Sequence, residues 1–322
     1  MFSHSLAFCQ GVCYTKRKPN LSAMKGVVMD ERKLGNKSQI RFAKEIQVDG
    51  KHCILVQNGV LEVLFNKDNA LDIVWVKYKG VNLSFLSKNG LNDGARDFVG
   101  NFEGGFLYTC GMDNISSCVA GKPVHGSLHY KKCDLAYGVE EGENIVVYGE
   151  VRECALFGKN LLLKRRFTVS ANGLCIQDTV ENCAFTDTEY ILLYHVNYGY
   201  PFLDECLQLD IPAVQSEPLT DIAKQRQGEM LRITAPVDGG DEDVYYHTLK
   251  EGRVRLHNPA VNIGVEMCYD TADFPVTLQW KSMISGDYAL GIEPALSRFD
   301  RFQMQPLKVG QQKTYTIEIS FQ

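Results

Sequence analysis

Leu161-Leu162-Leu163-Lys164-Arg165-Arg166-Phe167-Thr168-Val169-Ser170-Ala171-Asn172-Gly173-Leu174-Cys175-Ile176-Gln177-Asp178-Thr179-Val180-Glu181 is the stretch that decides the fold. Two apolar-rich runs of strand length flank Asn172-Gly173, a pair suited to a tight reversal, so the segment reads as two antiparallel strands. The same grammar extends in both directions. Asn144 to Glu153 lies upstream across Gly158-Lys159-Asn160, and Glu189 to His195 lies downstream. Nearer the start, Cys53 to Gln57 and Val60 to Phe65 flank Asn58-Gly59, followed by Leu71 to Tyr78. Later runs are Met230 to Thr234, Val244 to Thr248, Val261 to Met267, Thr277 to Ser282 and Tyr288 to Ile292. In the last strand Tyr315, Ile317, Ile319 and Phe321 face one way and Thr314, Thr316, Glu318 and Ser320 the other. Helical periodicity is confined to Leu219 to Gln225. Many short strands at turn-punctuated spacing predict an all-β fold, a large antiparallel sandwich or barrel. Residues 1–38 carry no sustained period and read as an N-terminal extension; residues 39–322 read as one domain.

Composition excludes several classes. The 322-residue chain has a formal net charge of −5, and no basic block exceeds Lys16-Arg17-Lys18, which argues against nucleic acid as a partner. No apolar run reaches the roughly 18 residues of a membrane-spanning helix. The eleven cysteines are scattered without a C-x-x-C pair, a pattern of reduced thiols in a cytoplasmic protein and not of a disulfide framework.

Three stretches could carry chemistry. The first is Leu192-Leu193-Tyr194-His195-Val196-Asn197-Tyr198-Gly199-Tyr200-Pro201-Phe202-Leu203-Asp204, an apolar strand that turns polar at His195 and Asn197 and breaks at Gly199 and Pro201. The second runs from Asn92 through Arg96 to the glycine-rich Gly104-Gly105-Phe106-Leu107-Tyr108-Thr109-Cys110-Gly111 and on to His125-Gly126. The third is Gly291-Ile292-Glu293-Pro294, a carboxylate at the end of an apolar strand, where partial burial would raise its pKa and make it a usable general base. Lys281 and Arg298 are sequence neighbours able to pair with Glu293. His125 and His129 have a helical metal-ligand spacing, but Pro123 and Gly126 argue against a helix and no third ligand is evident, so no metal is expected. Gln279-Trp280 offers a ring face and an amide to a sugar, with a core tryptophan as the plainer explanation. Asp241-Glu242-Asp243 reads as a solvated turn.

Together these stretches resemble the aldose 1-epimerase (galactose mutarotase-like) superfamily, and in particular a bacterial aldose-1-epimerase-like branch whose substrates are mostly unassigned. Tyr194-His195-Val196-Asn197-Tyr198-Gly199-Tyr200-Pro201 is similar to its central motif, Gly104 to Gly111 with His125-Gly126 to a second signature, and Gly291-Ile292-Glu293-Pro294 to its glutamate–proline motif. The resemblance covers about residues 35 to 322. It implies a β-supersandwich and an isomerase that interconverts α and β anomers of a free sugar without a cofactor. Glu293 would be the general base on the anomeric hydroxyl and His195 the general acid on the ring oxygen. Arg96 and His125 map onto substrate-binding positions. Asp204, Asp243 and Asp270 compete for the family's substrate aspartate; Asp204 is taken as the candidate, beside Asn197, Tyr198 and Gln279 as pocket residues. The Asn197-Tyr198-Gly199-Tyr200 run departs from galactose mutarotases, which puts galactose or glucose as the substrate in doubt.

The leading expectation is therefore an anomer-interconverting isomerase on a small sugar, as a monomer or homodimer. The competing readings are a non-catalytic carbohydrate-binding protein, or another sugar epimerase or lyase using the same two residues.

Overall fold

Alternation with period two is what builds the two layers, because each strand presents one face to the partner sheet and the other outward. The computed structural model describes residues 41–322 apart from 92–96, 117–120 and 302. The expected N-terminal extension and Arg96 therefore lie outside the described residues. An eleven-stranded sheet and an eight-stranded sheet hold nearly all the strands, with a two-stranded piece pairing Thr188–Tyr190 to Gln305–Leu307. Neighbouring strands run antiparallel. The decisive stretch folds as read, with Asn160–Val169 paired to Gly173–Asn182 in register Val169↔Leu174.

Across the middle of the large sheet the strand order is Leu107–Gly111, Leu192–Tyr198, Ala289–Ala295, Val276–Ser282, Asp243–Leu249. Two of these, Leu192–Tyr198 and Ala289–Ala295, are buried at every residue, so both of their faces are covered. Tyr194, Val196 and Tyr198 point between the sheets, and the Tyr194 hydroxyl donates to Asp178 of the small sheet at 2.9 Å. Phe65 against Phe167 (5.0 Å) and Phe106 against Phe321 (6.5 Å) fill the same interior.

A fully buried ion network crosses that interior. Arg165 of the small sheet donates to Asp178 through Nε (3.0 Å) and Nη2 (2.9 Å), and through Nη1 to Asp72 of the large sheet at 2.8 Å. Asp72 also accepts the Thr109 backbone N–H at 2.7 Å and lies 2.8 Å from His129 Nδ1. Burial disfavours the charge on Asp72, but Arg165 and His129 outweigh it and hold its carboxyl below the usual range. Burial likewise opposes a charged His129; the hydrogen bonds it donates to Asp72 and Glu103 prevail and raise it to about 9. A buried ion set of this kind is tolerated only because almost every lone pair and N–H is used.

Two local expectations are corrected. Met230 to Thr234 forms no strand. The carbonyls of Met230, Arg232 and Thr234 are taken by the side chains of Gln279, Lys281 and Tyr288, which leaves the segment a strap over the sheet instead of a member of it. The helix read over Leu219 to Gln225 starts later, at Asp221, because the Thr220 hydroxyl caps the Ala223 N–H. A one-turn helix, Phe98–Asn101, capped by Asp97, was not legible from periodicity.

Candidate active site

Strand register assembles the centre of the site. Val196 pairs with Ile292, Asn197 with Gly291 and Leu193 with Ala295, which sets His195 opposite Glu293. Both point to the face away from the small sheet, since alternation sends Val196 and Ile292 the other way. His195 Nε2 lies 3.2 Å from Glu293 Oε1, although the two residues are 98 positions apart in sequence. His195 is 6% and Glu293 4% exposed, so the pair is shielded from bulk water. Burial, helped by the charge of Glu242, pushes Glu293 up to about 8. Burial and the neighbouring His125 push His195 down to about 3, with Asn197 offsetting part of that. The two groups titrate as a unit. Burial disfavours charge on both groups, so it favours the arrangement with the proton on Glu293, donated to a neutral His195 Nε2.

Aromatic side chains ring the pair. The rings of Trp280, Phe102 and His125 lie 5.4, 5.7 and 6.2 Å from that of His195. Phe98, from the one-turn helix, covers His125 at 4.8 Å. Tyr108 pairs in register with His195 and stacks on His129 at 3.7 Å. His125 occupies the left-handed region (φ 60°), and Gly126 behind it is obligatory: a Cβ there would meet the Asn114 and Gly111 carbonyl oxygens at 2.3 and 2.4 Å. His125 Nδ1 lies 2.9 Å from the Ile115 carbonyl, so Nδ1 carries the proton and Nε2 is left as an acceptor. Burial holds this ring below the ordinary histidine range and thus neutral.

A family model, "Domain of unknown function (DUF4432)", matches residues 48–320. The chain belongs to the DUF4432 family. No curated protein matches it. Among solved structures, a candidate aldose 1-epimerase from Klebsiella pneumoniae is similar, with TM-score 0.77 and 17% identity over 88% of this chain and 85% of that one. A galactose mutarotase-like protein from Clostridium acetobutylicum gives 0.67 and 15% over 88% and 98%. A galactose mutarotase related enzyme from Lactobacillus acidophilus gives 0.58 and 13% over 87% and 97%. At these identities the likeness is one of fold, and the fold of this DUF4432 chain is galactose mutarotase-like.

The DUF4432 structure sorts the residues named from sequence. His195, Glu293 and His125 converge. Asn197 shares their face, but its side chain is wholly buried, and its Nδ2 donates to the carbonyls of Gly105 (3.0 Å) and His195 (3.2 Å). It fixes the strand beneath the histidine and does not line an open pocket. Its Oδ1 and His195 Nδ1 are both buried without a hydrogen-bond partner. Tyr198, expected in the sugar pocket, is three residues from His195 and so faces the inter-sheet core, against Phe106 and Phe202. Gln279 is corrected for the same reason. It lies opposite Ile292 on the far face, with Oε1 3.0 Å from His247 Nε2 and Nε2 donating to the Met230 carbonyl. Trp280, its neighbour, takes the pocket face. Asp204 accepts from the Cys206 N–H and from Asn258 Nδ2, closing a turn. Neither suggested cation reaches Glu293: Lys281 Nζ lies 3.5 Å from Asp243, and Arg298 pairs with Glu217 and Asp300.

The acidic run is a solvated turn at Asp241 and Glu242, both exposed, but not at Asp243. Asp243 is buried between Lys281 and Arg226, and Glu242 Oε2 accepts the Trp280 indole N–H at 2.6 Å. Sequence reading missed Glu242, Phe98, Phe102 and Tyr108 as neighbours of the pair. The available signal was Phe98 and Phe102 at i, i+4 beside the glycine-rich signature. Two clefts of about 220 and 200 Å³ lie elsewhere, on the outer face of the small sheet and beside Glu103 and His129. Neither is lined by His195 or Glu293. His129–Asp72 and His52–Asp68 are acid/base contacts too, at 2.8 and 3.0 Å. We assign the chemistry to the His195–Glu293 pair, which is set apart by the wall of Trp280, Phe102 and His125 around it.

Proposed function

We propose that this protein is an aldose 1-epimerase-like isomerase that interconverts the α and β anomers of a sugar by acid/base ring opening. The observation that carries the reading is the buried His195–Glu293 contact of 3.2 Å. The anomeric hydroxyl and the ring oxygen share one carbon, so both can be reached from a single edge by two groups that already touch. One partner accepts the hydroxyl proton while the other donates to the ring oxygen. The C1–O5 bond breaks, C1 becomes a carbonyl, and the proton count of the pair is unchanged. Rotation about C1–C2 and the reverse transfers close the other anomer. The protonation favoured by burial starts the cycle with Glu293 as acid and His195 as base, the reverse of the roles expected from sequence, and ring closure then exchanges them. His125 Nε2 supplies a neutral acceptor for a sugar hydroxyl, and the aromatic ring stacks on the C–H faces of the sugar.

The test is exchange spectroscopy by NMR on a panel of free aldoses, with the uncatalysed rate subtracted. Glu293→Gln and His195→Asn should each lower the rate by about 100-fold or more, the usual size for a positioned acid or base. Sugar binding without accelerated exchange would favour a carbohydrate-binding protein. Conversion to a non-anomeric product would favour another epimerase or lyase.

A further inference from the structure

We propose that Glu242 is a positioning residue for the His195–Glu293 pair and acts on it through Trp280. Glu242 immediately precedes the strand Asp243–Leu249, where Val244 pairs with Trp280 and Asp243 with Lys281. Asp243 is anchored by Lys281 and Arg226, and Lys281 Nζ also donates to the Glu229 and Arg232 carbonyls. The backbone that carries Glu242 is therefore held firmly although its own side chain is exposed.

From that anchor the carboxylate accepts the indole N–H at 2.6 Å, a charge-assisted bond that fixes the ring plane. The indole then meets His195, Phe102 and Phe85 at 5.4, 6.0 and 6.1 Å, and its strand partner is Gly291. One carboxylate thus sets the wall against which His195 rests. Its charge also reaches Glu293, and that effect can be separated from the hydrogen bond. Among the described residues, the titratable groups around Glu293 are His195 at 3.2 Å, Cys110 within electrostatic reach, Glu242, and His125 behind His195. Of these, only Glu242 is exposed.

The inference rests on the acid/base reading of the pair, so its test includes a readout that needs no substrate. Side-chain carboxyl ¹³C titration of Glu293 and ¹⁵N titration of His195 are recorded for the full chain and for Glu242→Gln, Glu242→Ala and Trp280→Phe. Trp280 emission is followed in a Trp75→Phe background. Glu242→Gln keeps an acceptor for the indole and removes the charge. Its indole emission and KM should stay within twofold, while loss of the pair's proton moves to lower pH by about half a unit, the size of one partly screened like charge. The sign follows because a like charge raises a carboxyl pKa, so removing it lets the proton leave sooner. Glu242→Ala should add a tenfold or greater fall in kcat and a shift in emission, and Trp280→Phe should reproduce the fall in kcat without the pH shift.

Unchanged titrations and unchanged kcat in both Glu242 variants would overturn the proposal. Shifted titrations in a protein that accelerates no anomer exchange, even unmodified, would sustain the positioning role and sink the isomerase reading instead.

Discussion

Placing a methyl group at Gly291 tests the site against the fold at one atom. The residue is opposite Asn197 and two positions before Glu293, on the pocket face. A Cβ there would lie 2.8 Å from Glu293 Oε1, 3.0 Å from His195 Cε1 and 3.2 Å from Trp280 Cβ. Ordinary contact begins at 3.4 Å, so the carboxylate must retreat by about 0.6 Å, which stretches a 3.2 Å hydrogen bond beyond its useful range. The backbone is not in the left-handed region, so the substitution meets no conformational penalty. Overpacking costs about 1–3 kcal/mol, and the narrower unfolded ensemble of alanine returns about 0.4–1 kcal/mol. Gly291→Ala should thus lose only about 1–2 kcal/mol in urea unfolding. Anomer exchange should fall by about 100-fold, because proton transfer tolerates little displacement of its partners. Exchange within threefold of the parent, with an unmoved Glu293 carboxyl signal, would refute the claim that the contact is the working unit. A stability loss above about 5 kcal/mol would instead show that the glycine serves packing.

Three other outcomes can be checked. Arg165→Met should cost about 3–5 kcal/mol in denaturant, because Asp178 stays buried without its cation and Asp72 keeps only His129, and adding Asp178→Asn should recover part of it; a loss under 1 kcal/mol would contradict the network. His129 has a folded pKa raised to about 9. Its contribution is therefore fully present below about pH 6.5 and lost as pH rises through 9, and His129→Gln should flatten that slope in thermal melts at fixed ionic strength. Tyr198→Phe should be neutral or slightly stabilising, since the hydroxyl is buried without a partner, and should leave exchange unchanged; a clear loss of exchange would restore Tyr198 to the pocket.

The strands were readable because antiparallel sheets write their pattern locally, as in Asn172-Gly173 between two apolar runs. The pair itself was readable only through resemblance. Nothing local to His195 announces Glu293; register alone brings them together. The errors at Tyr198 and Gln279 share a physical cause. Both sit beside residues that share the His195–Glu293 face, Asn197 and Trp280, and in a strand the neighbour is the residue that points away. Arg165 and Asp178, in the very stretch that fixed the fold, gave no sign of a buried ion network, because paired buried charges look in sequence like solvated ones.

The network behind the Leu107–Gly111 strand has a consequence for how new substrates could be admitted. Thr109 is clamped from behind by Asp72 and Arg165, while Tyr108 faces the pair from the front. Held at Thr109 through both its backbone N–H and its hydroxyl, the strand is a stiff base plate beside His195, so the spacing of the His195–Glu293 pair is insulated from change. The ceiling is different. Phe98 opens a single helical turn and Phe102 closes it; Asp97 caps its start, and Ser87 Oγ and Asn89 Nδ2 donate to the Phe102 carbonyl, so the backbone is pinned while the rings touch neighbours only by their edges and faces. On the proposed isomerase reading, diversification should accumulate in the side chains of that ceiling, redrawing the outline of the sugar it admits while the pair beneath stays as it is.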